Sequence, residues 1–196
     1  LRALVTGERS TMRGRIGFRS SSVAAGPAGQ PLTMPPMVID ADGLNLLSEL
    51  DDWPRLLPPN CVLTPHPGEM ARLVGCSSDS IAADRIGTAQ EAAAEWGQVV
   101  VLKGAFTVVA APGGQTTLLP FAEPALATAG SGDVLAGAIA ALLGMGLRPY
   151  QAAVAGAFLH GASGQAAAAE IGRRGVIAGD LPLFLATVLD EIAAGH

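Results

Sequence analysis

The run Gln98-Val-Val-Val-Leu102 constrains this chain more than any other stretch. It has no polar alternation and is rich in valine, so it suits a strand buried on both faces, as in a parallel sheet covered by helices. Two shorter runs upstream, Met37-Val-Ile-Asp-Ala41 and Cys61-Val-Leu-Thr64, have the same character. Each leads into a helical pattern, over residues 42–50 after the first and over residues 67–74 after the second, where Gly75 closes the helix. Between them, residues 53–59 read as a loop. A third helix, capped by Asp79 or Ser80, presents Ile81, Ile86, Ala93 and Trp96 before Gly97 stops it. Strands alternating with helices predict an α/β fold with a parallel sheet and right-handed crossovers.

Downstream of the valine run the pattern changes. Residues 106–110 and 115–119, joined across Pro112-Gly-Gly114, read as an antiparallel hairpin at the sheet edge. Three helices are then expected in succession, over residues 133–143, 149–171 and 181–193, the last capped by Asp180. Gly137, Gly156, Gly161 and Gly164 would let these helices approach one another closely.

Composition excludes several classes of function. Of 12 basic residues Lys103 is the single lysine, and net charge is −5, which gives nucleic-acid binding little electrostatic footing. Every long apolar run is broken by glycine, proline or a polar residue, so no membrane helix is expected. Cys61 and Cys76 lack a metal-ligand spacing and read as reduced, buried thiols of a cytoplasmic protein. Residues 1–36 stand apart: Arg2, Arg9, Arg13, Arg15 and Arg19 face a single acid, Glu8, with no apolar period. That balance is like an organelle transit peptide, although its glycines and prolines argue against an amphipathic helix.

The chemistry gathers where the strands end. Leu126-Ala-Thr-Ala-Gly-Ser-Gly-Asp133-Val-Leu-Ala-Gly137 carries little side-chain bulk at Gly130, Ser131 and Gly132, so its N–H groups and the following helix dipole can hold a phosphate. Asp133 at the mouth of such a hole has two readings. It is a base that takes a substrate hydroxyl proton during phosphoryl transfer, or it is a helix cap. Asp40, Asp42 and Asn45 follow the first strand, Thr64, His66 and Glu69 the second, and Lys103 the third, the positions where open parallel sheets bind ligands. His160, inside an apolar helix, reads as a satisfied core histidine.

Five ordered motifs carry a resemblance: Asp40-Ala-Asp-Gly-Leu-Asn45, Thr64-Pro-His-Pro-Gly-Glu69, Val101-Leu-Lys-Gly104, the glycine loop from Leu126 to Gly137, and Leu159-His-Gly161. Together they resemble the NAD(P)H-hydrate dehydratase family of the ribokinase-like superfamily. The resemblance implies a ribokinase-like layered fold, a mostly parallel sheet flanked by helices with an antiparallel hairpin, over residues 37–196. It implies repair of NADHX and NADPHX to NADH and NADPH: a nucleotide phosphorylates the ring hydroxyl, and phosphate leaves as the double bond re-forms. ADP or ATP is the implied donor, with Mg²⁺.

By the same resemblance Asp133 is the catalytic base and contacts the hydrate, and His66 is a second substrate contact. Lys103, Gly104, Ala105, Phe106 and Thr107 hold the nucleotide, with Gly130, Ser131 and Gly132 at its phosphates. Asp40, Asp42, Asn45 and Glu69 lie in matching motifs without an assigned role, and no protein metal site is expected. Relatives are often homo-oligomers. They also begin with further strands and helices, including a glycine segment of which Ala24-Ala-Gly-Pro-Ala-Gly29 is a faint echo. The domain is therefore expected to be partial, by truncation or an altered early reading frame. Glu123-Pro124 departs from the small polar residue and proline more usual before the loop. Two other readings stay open: a kinase of a small alcohol or vitamin precursor, and a non-catalytic nucleotide-binding fragment.

Overall fold

A computed structural model describes residues 34–195. The atypical segment over residues 1–36, with its glycine stretch at 24–29, lies outside the described residues except for residues 34–36. Five strands form one sheet in chain order: β1 (Val38–Ile39), β2 (Val62–Leu63), β3 (Val99–Leu102), β4 (Val108–Ala110) and β5 (Thr116–Leu118). β1 pairs with β2 and β2 with β3 in parallel, whereas β3–β4 and β4–β5 are antiparallel. Only β4 therefore runs against the others, and the layered α/β fold with an edge hairpin is as expected.

The valine run explains the layering. Val100 and Leu102 point into one core, with Ile39, Leu63, Trp53 and Trp96, while Val99 and Val101 point into a second, with Val62, Val109 and Ile139. Alternate residues of a strand face opposite sides, so a strand apolar at every position requires cover on both. The first core is closed by α1 (Asp42–Ser48), α2 (Trp53–Leu56), α3 (Pro67–Val74), α4 (Ser78–Ala83) and α5 (Arg85–Trp96). The second is closed by α6 (Ser131–Gly144) and α7 (Pro149–Ile171). α8 (Leu181–Ala194) packs on α7 through Leu181 and Phe184 around Ala167.

Several local expectations are corrected. The single helix expected after residue 79 is two helices, because Asp84 leaves helical geometry and its carboxylate accepts the Gly87 N–H at 2.8 Å, capping α5. Ser77, not Asp79 or Ser80, caps α4. The expected loop at residue 53 contains the short α2, whose Trp53 packs edge-on against Trp96 at 4.8 Å between centroids. Asp180 makes no side-chain cap to α8; its carboxylate accepts the Ile177 N–H in the preceding turn. Cys61 is buried, but Cys76 is exposed in the turn after Gly75. A Cβ at Gly156 would fall 2.6 Å from Ile139, so this glycine does let α7 approach α6, whereas Gly161 and Gly164 make room for Phe121 and Leu126 of the stretch before α6, and Gly137 meets nothing within 4 Å among the described residues. Among the described residues no helix is long and apolar enough to cross a membrane.

Candidate active site

The parallel strands deliver their polar residues to one end of the sheet. Asp40 follows β1, Thr64 to Glu69 follow β2, and Lys103 follows β3. Lys103 Nζ donates to Asp40 Oδ1 at 2.6 Å and lies 3.6 Å from Glu69 Oε2. All three side chains are largely withdrawn from solvent, so the lysine charge is offset by two carboxylates in place.

His66 is the N-cap of α3, an unusual residue there. Its Nδ1 accepts the N–H groups of Gly68 and Glu69, and Glu69 Oε2 accepts the His66 N–H at 2.8 Å, closing a capping box. Accepting at Nδ1 leaves Nε2 as the protonated nitrogen, and Nε2 stands 3.3 Å from Glu69 Oε1. Glu69 thus connects His66 to Lys103.

The glycine loop turns into α6 at Gly130, which sits in the left-handed region at φ 86° and is the helix N-cap. α6 starts two residues earlier than expected, so Asp133 lies inside its first turn, exposed and without side-chain capping. Ser131 is buried and engaged locally: its N–H bonds Thr128 O and its hydroxyl bonds Leu126 O at 2.6 Å. The Gly132 N–H has no acceptor among the described residues. A Cβ at Gly132 would lie 3.4 Å from Lys103 Nζ and 3.5 Å from Asp40 Oδ2, so glycine brings the helix N-terminus against the buried ion pair.

A cleft of about 510 Å³ opens from this point. Its polar lining comprises His66, Lys103, Gly104, Glu123, Ser131 and Gly132, and its apolar lining includes Leu119, Phe121, Leu126, Leu135 and Ala157. Ala105 and Thr107 also line it, while Phe106, Gly130 and Asp133 do not. Phe106 is exposed with φ 53°, and its N–H bonds Phe121 O at 2.7 Å. That kink ends the loop, which is why β4 begins at Val108 and not at residue 106. Asp42 is exposed on α1, and Asn45 accepts from Arg72 at 2.6 Å on the surface, so neither joins the site. Thr64 is buried, its hydroxyl donating to Ile39 O.

His160 corrects the sequence reading. It is buried but lines the cleft, and its Nε2 has no partner among the described residues. Burial, reinforced by the Lys103 charge, holds its pKa below the usual histidine value against the opposing pull of the Ser131 carbonyl. Sequence reasoning also missed Arg85, the first residue of α5. Its guanidinium donates to the carbonyls of Ala105, Leu102 (3.1 Å) and Lys103 (3.3 Å), and burial lowers its pKa. Arg85 reads as an ordinary helix residue in sequence, because its acceptors are backbone atoms far along the chain. The apolar wall was similarly hidden, since Phe121 and Leu126 meet α7 only through tertiary packing.

Among the described residues no three His, Cys, Asp or Glu side chains cluster as a metal cage. Asp40 and Glu69 are already bound to Lys103. Such a site fits a Mg²⁺ ion that arrives on nucleotide phosphates with few protein ligands, and does not fit a resident ion held by the protein alone.

A family model described as NAD(P)H-hydrate dehydratase matches residues 31–184. The chain is 51% identical over 165 residues to a bifunctional NAD(P)H-hydrate repair enzyme of Moorella thermoacetica, covering 83% of this chain and 31% of that one. It is 43% identical over 150 residues to an ADP-dependent (S)-NAD(P)H-hydrate dehydratase of Neisseria meningitidis, covering 74% of this chain and 50% of the relative. Among solved structures, the ADP/ATP-dependent NAD(P)H-hydrate dehydratase of Bacillus subtilis, co-crystallised with ATP and Mg²⁺, superposes with a TM-score of 0.72 at 33% identity. That match covers 80% of this chain and 55% of the other. The chain thus spans from 31% to 55% of the length of these relatives.

Proposed function

The chain belongs to the NAD(P)H-hydrate dehydratase family, and on that premise we propose that it dehydrates NADHX and NADPHX to NADH and NADPH at the expense of ADP or ATP. The observation that carries this reading is the close approach of Gly132, at the N-terminus of α6, to the Lys103–Asp40 pair, so close that a Cβ at Gly132 would lie 3.4 Å from Lys103 Nζ and 3.5 Å from Asp40 Oδ2. A free amide, a helix dipole and a buried cation converge there, the arrangement that stabilises charge on a transferring phosphoryl group.

The nucleotide lies along the cleft, its base against Leu119, Phe121 and Leu126 and its phosphates toward Lys103, Gly104 and Gly132. Ala105 and Thr107 line the path between, Ser131 lines it beside Gly132, and Phe106 and Gly130 shape it from outside. The hydrate meets Asp133 and His66, both exposed to solvent, next to the Gly132 turn and to Glu69 respectively. Asp133 accepts the ring hydroxyl proton as the oxygen takes the phosphoryl group. Phosphate then departs from the ring carbon while the neighbouring carbon loses a proton, restoring the double bond. Mg²⁺ bound to the nucleotide supplies charge neutralisation at its phosphates.

The domain that does this is taken as residues 37–196, a partial one, with residues 1–36 apart from it. A cytoplasmic setting, assembly with copies of itself, and no nucleic-acid or membrane partner complete the proposal; two unpaired cysteines support the reducing compartment. The test adds the full chain to NADPHX with Mg²⁺ and ADP or ATP and follows the near-ultraviolet absorbance of reduced nicotinamide. A nucleotide-dependent rise that disappears in Asp133→Asn is expected. Absence of any rise with both donors would defeat the reading.

A further inference from the structure

Arg85 is a cation without an acid. No carboxylate pairs with it among the described residues, and its Nε is buried with no partner. Everything it binds is backbone: the carbonyls of Leu102, Lys103 and Ala105, which bracket Gly104. Its Nη2 stands 3.1 Å from where a Cβ of Gly104 would be, and Gly104 has φ 140°, a conformation that disfavours side chains. Arg85 itself does not line the cleft, whereas Lys103, Gly104 and Ala105 do, so the arginine lies behind the loop.

A trans peptide points its carbonyl and its N–H in opposite directions. Each carbonyl drawn to Arg85 therefore turns the next residue's N–H away from it. Two of the three N–H groups are taken: Lys103 N–H by Pro65 O at 2.8 Å, and Phe106 N–H by Phe121 O at 2.7 Å. The third, on Gly104, has no acceptor among the described residues, and the Gly104 carbonyl is held by the Thr107 hydroxyl at 3.0 Å. We infer that Arg85 is a positioning residue for the phosphate end of the cleft, holding the loop so that the Gly104 N–H donates to an anionic oxygen of the bound nucleotide. This rests on the nucleotide reading above and adds a residue from a different helix to it.

The charge arrangement supports the assignment. Lys103 shares its charge with Asp40 and Glu69, so it presents less than a full positive charge to a phosphate. An uncompensated guanidinium behind the same loop adds positive potential without occupying the site, and its fork reaches three carbonyls, which an ammonium on a flexible stem does not match.

Calorimetric titration of the full chain with ADP and with adenosine tests the inference. Arg85→Gln should weaken ADP roughly tenfold, the scale of one charge-assisted contact, while changing adenosine by less than about twofold. Arg85→Lys should recover part of the ADP affinity, and it is the variant to rely on if Arg85→Gln does not fold. In Arg85→Gln the Phe106 amide should also exchange its hydrogen faster, a readout that needs no ligand. Unchanged ADP affinity in Arg85→Gln, or equal loss for ADP and adenosine, would overturn the inference while leaving the nucleotide site standing. Wild-type protein that binds neither ligand overturns the nucleotide reading and this inference with it.

Discussion

Lys103 Nζ and Asp40 Oδ1 lie 2.6 Å apart across 63 residues of sequence, and this contact fixes the floor of the site. β1 and β3 are not neighbours; β2 separates them, and Glu69 from the β2 side approaches the same ammonium at 3.6 Å. Three strand ends thus meet at one charge. The pair also lies beside the Gly132 turn, where a Cβ would be 3.4 Å from Lys103 Nζ, so the sheet end and the start of α6 meet there.

Replacing Asp40 by Asn should therefore disturb ligand binding more than the fold. The amide keeps the shape but cannot offset the lysine charge, and Lys103 would swing toward Glu69. Nucleotide affinity is expected to change by several-fold while the melting temperature falls only slightly. Asp40→Ala leaves a partly buried ammonium with one distant carboxylate and should cost about 1–3 kcal/mol of stability. Denaturant unfolding of both variants beside wild type separates the two effects.

Asp133→Asn should abolish turnover and spare nucleotide binding. Asp133 is exposed, does not line the cleft and, among the described residues, its carboxylate makes no hydrogen bond that the amide would break. Its carboxylate sits in the first turn of α6, so neutralising it forfeits at most about 0.3–1 kcal/mol of helix-dipole stabilisation. A general base is worth roughly 10²–10⁴ in rate. Retained turnover with unchanged nucleotide affinity would show that Asp133 is only a helix-end charge.

How much of this was legible in the sequence depended on whether the deciding contact was local. The valine run announced a doubly covered strand, and the polar residues after each strand marked the ligand end, because strand burial and strand ends are written in consecutive residues. The division at Asp84 was missed because apolar periodicity continues through it from Ile81 to Trp96, and only the Asp84 carboxylate capping Gly87 reveals the break. Arg85 and the Phe121 wall act on atoms distant in sequence. His160 misled for the opposite reason: an apolar helix does bury it, but Gly161 beside it admits Phe121 and leaves the histidine on the wall of a cleft.

His160 makes stability depend on pH in a definite direction. Its pKa is lowered in the folded chain, so near and below the usual histidine value of about 6.5 the unfolded chain binds more protons than the folded one. Stability therefore rises with pH through this window. Acidification from neutrality should erode it between pH 6.5 and the lower folded pKa, below which the contribution levels off. His160→Gln removes the titrating group, and its melting temperature should fall less steeply over that range than that of wild type. Identical slopes would mean that the buried ring is not what titrates.

Gly161 is buried on α7 and Gly137 is exposed on α6, and the same substitution should act on them with opposite sign. At Gly161 an added Cβ would lie 2.2 Å from Phe121 Cδ2, inside the ring's contact surface. Phe121 packs edge-on against Phe158 at 5.3 Å between centroids and lines the cleft, so the ring can move only by disrupting that contact or by closing the apolar slot. Gly161→Ala is expected to cost about 1–3 kcal/mol, as overpacking does, and to weaken adenosine binding along with it. At Gly137, in the middle of α6, nothing lies within 4 Å of the added methyl. There alanine only restricts the unfolded chain and favours the helix, and it should stabilise by about 0.4–1 kcal/mol without touching the cleft. Thermal unfolding and adenosine titration of the two variants check this pair; a destabilised Gly137→Ala, or an unaffected Gly161→Ala, would contradict the packing described for α6 and α7.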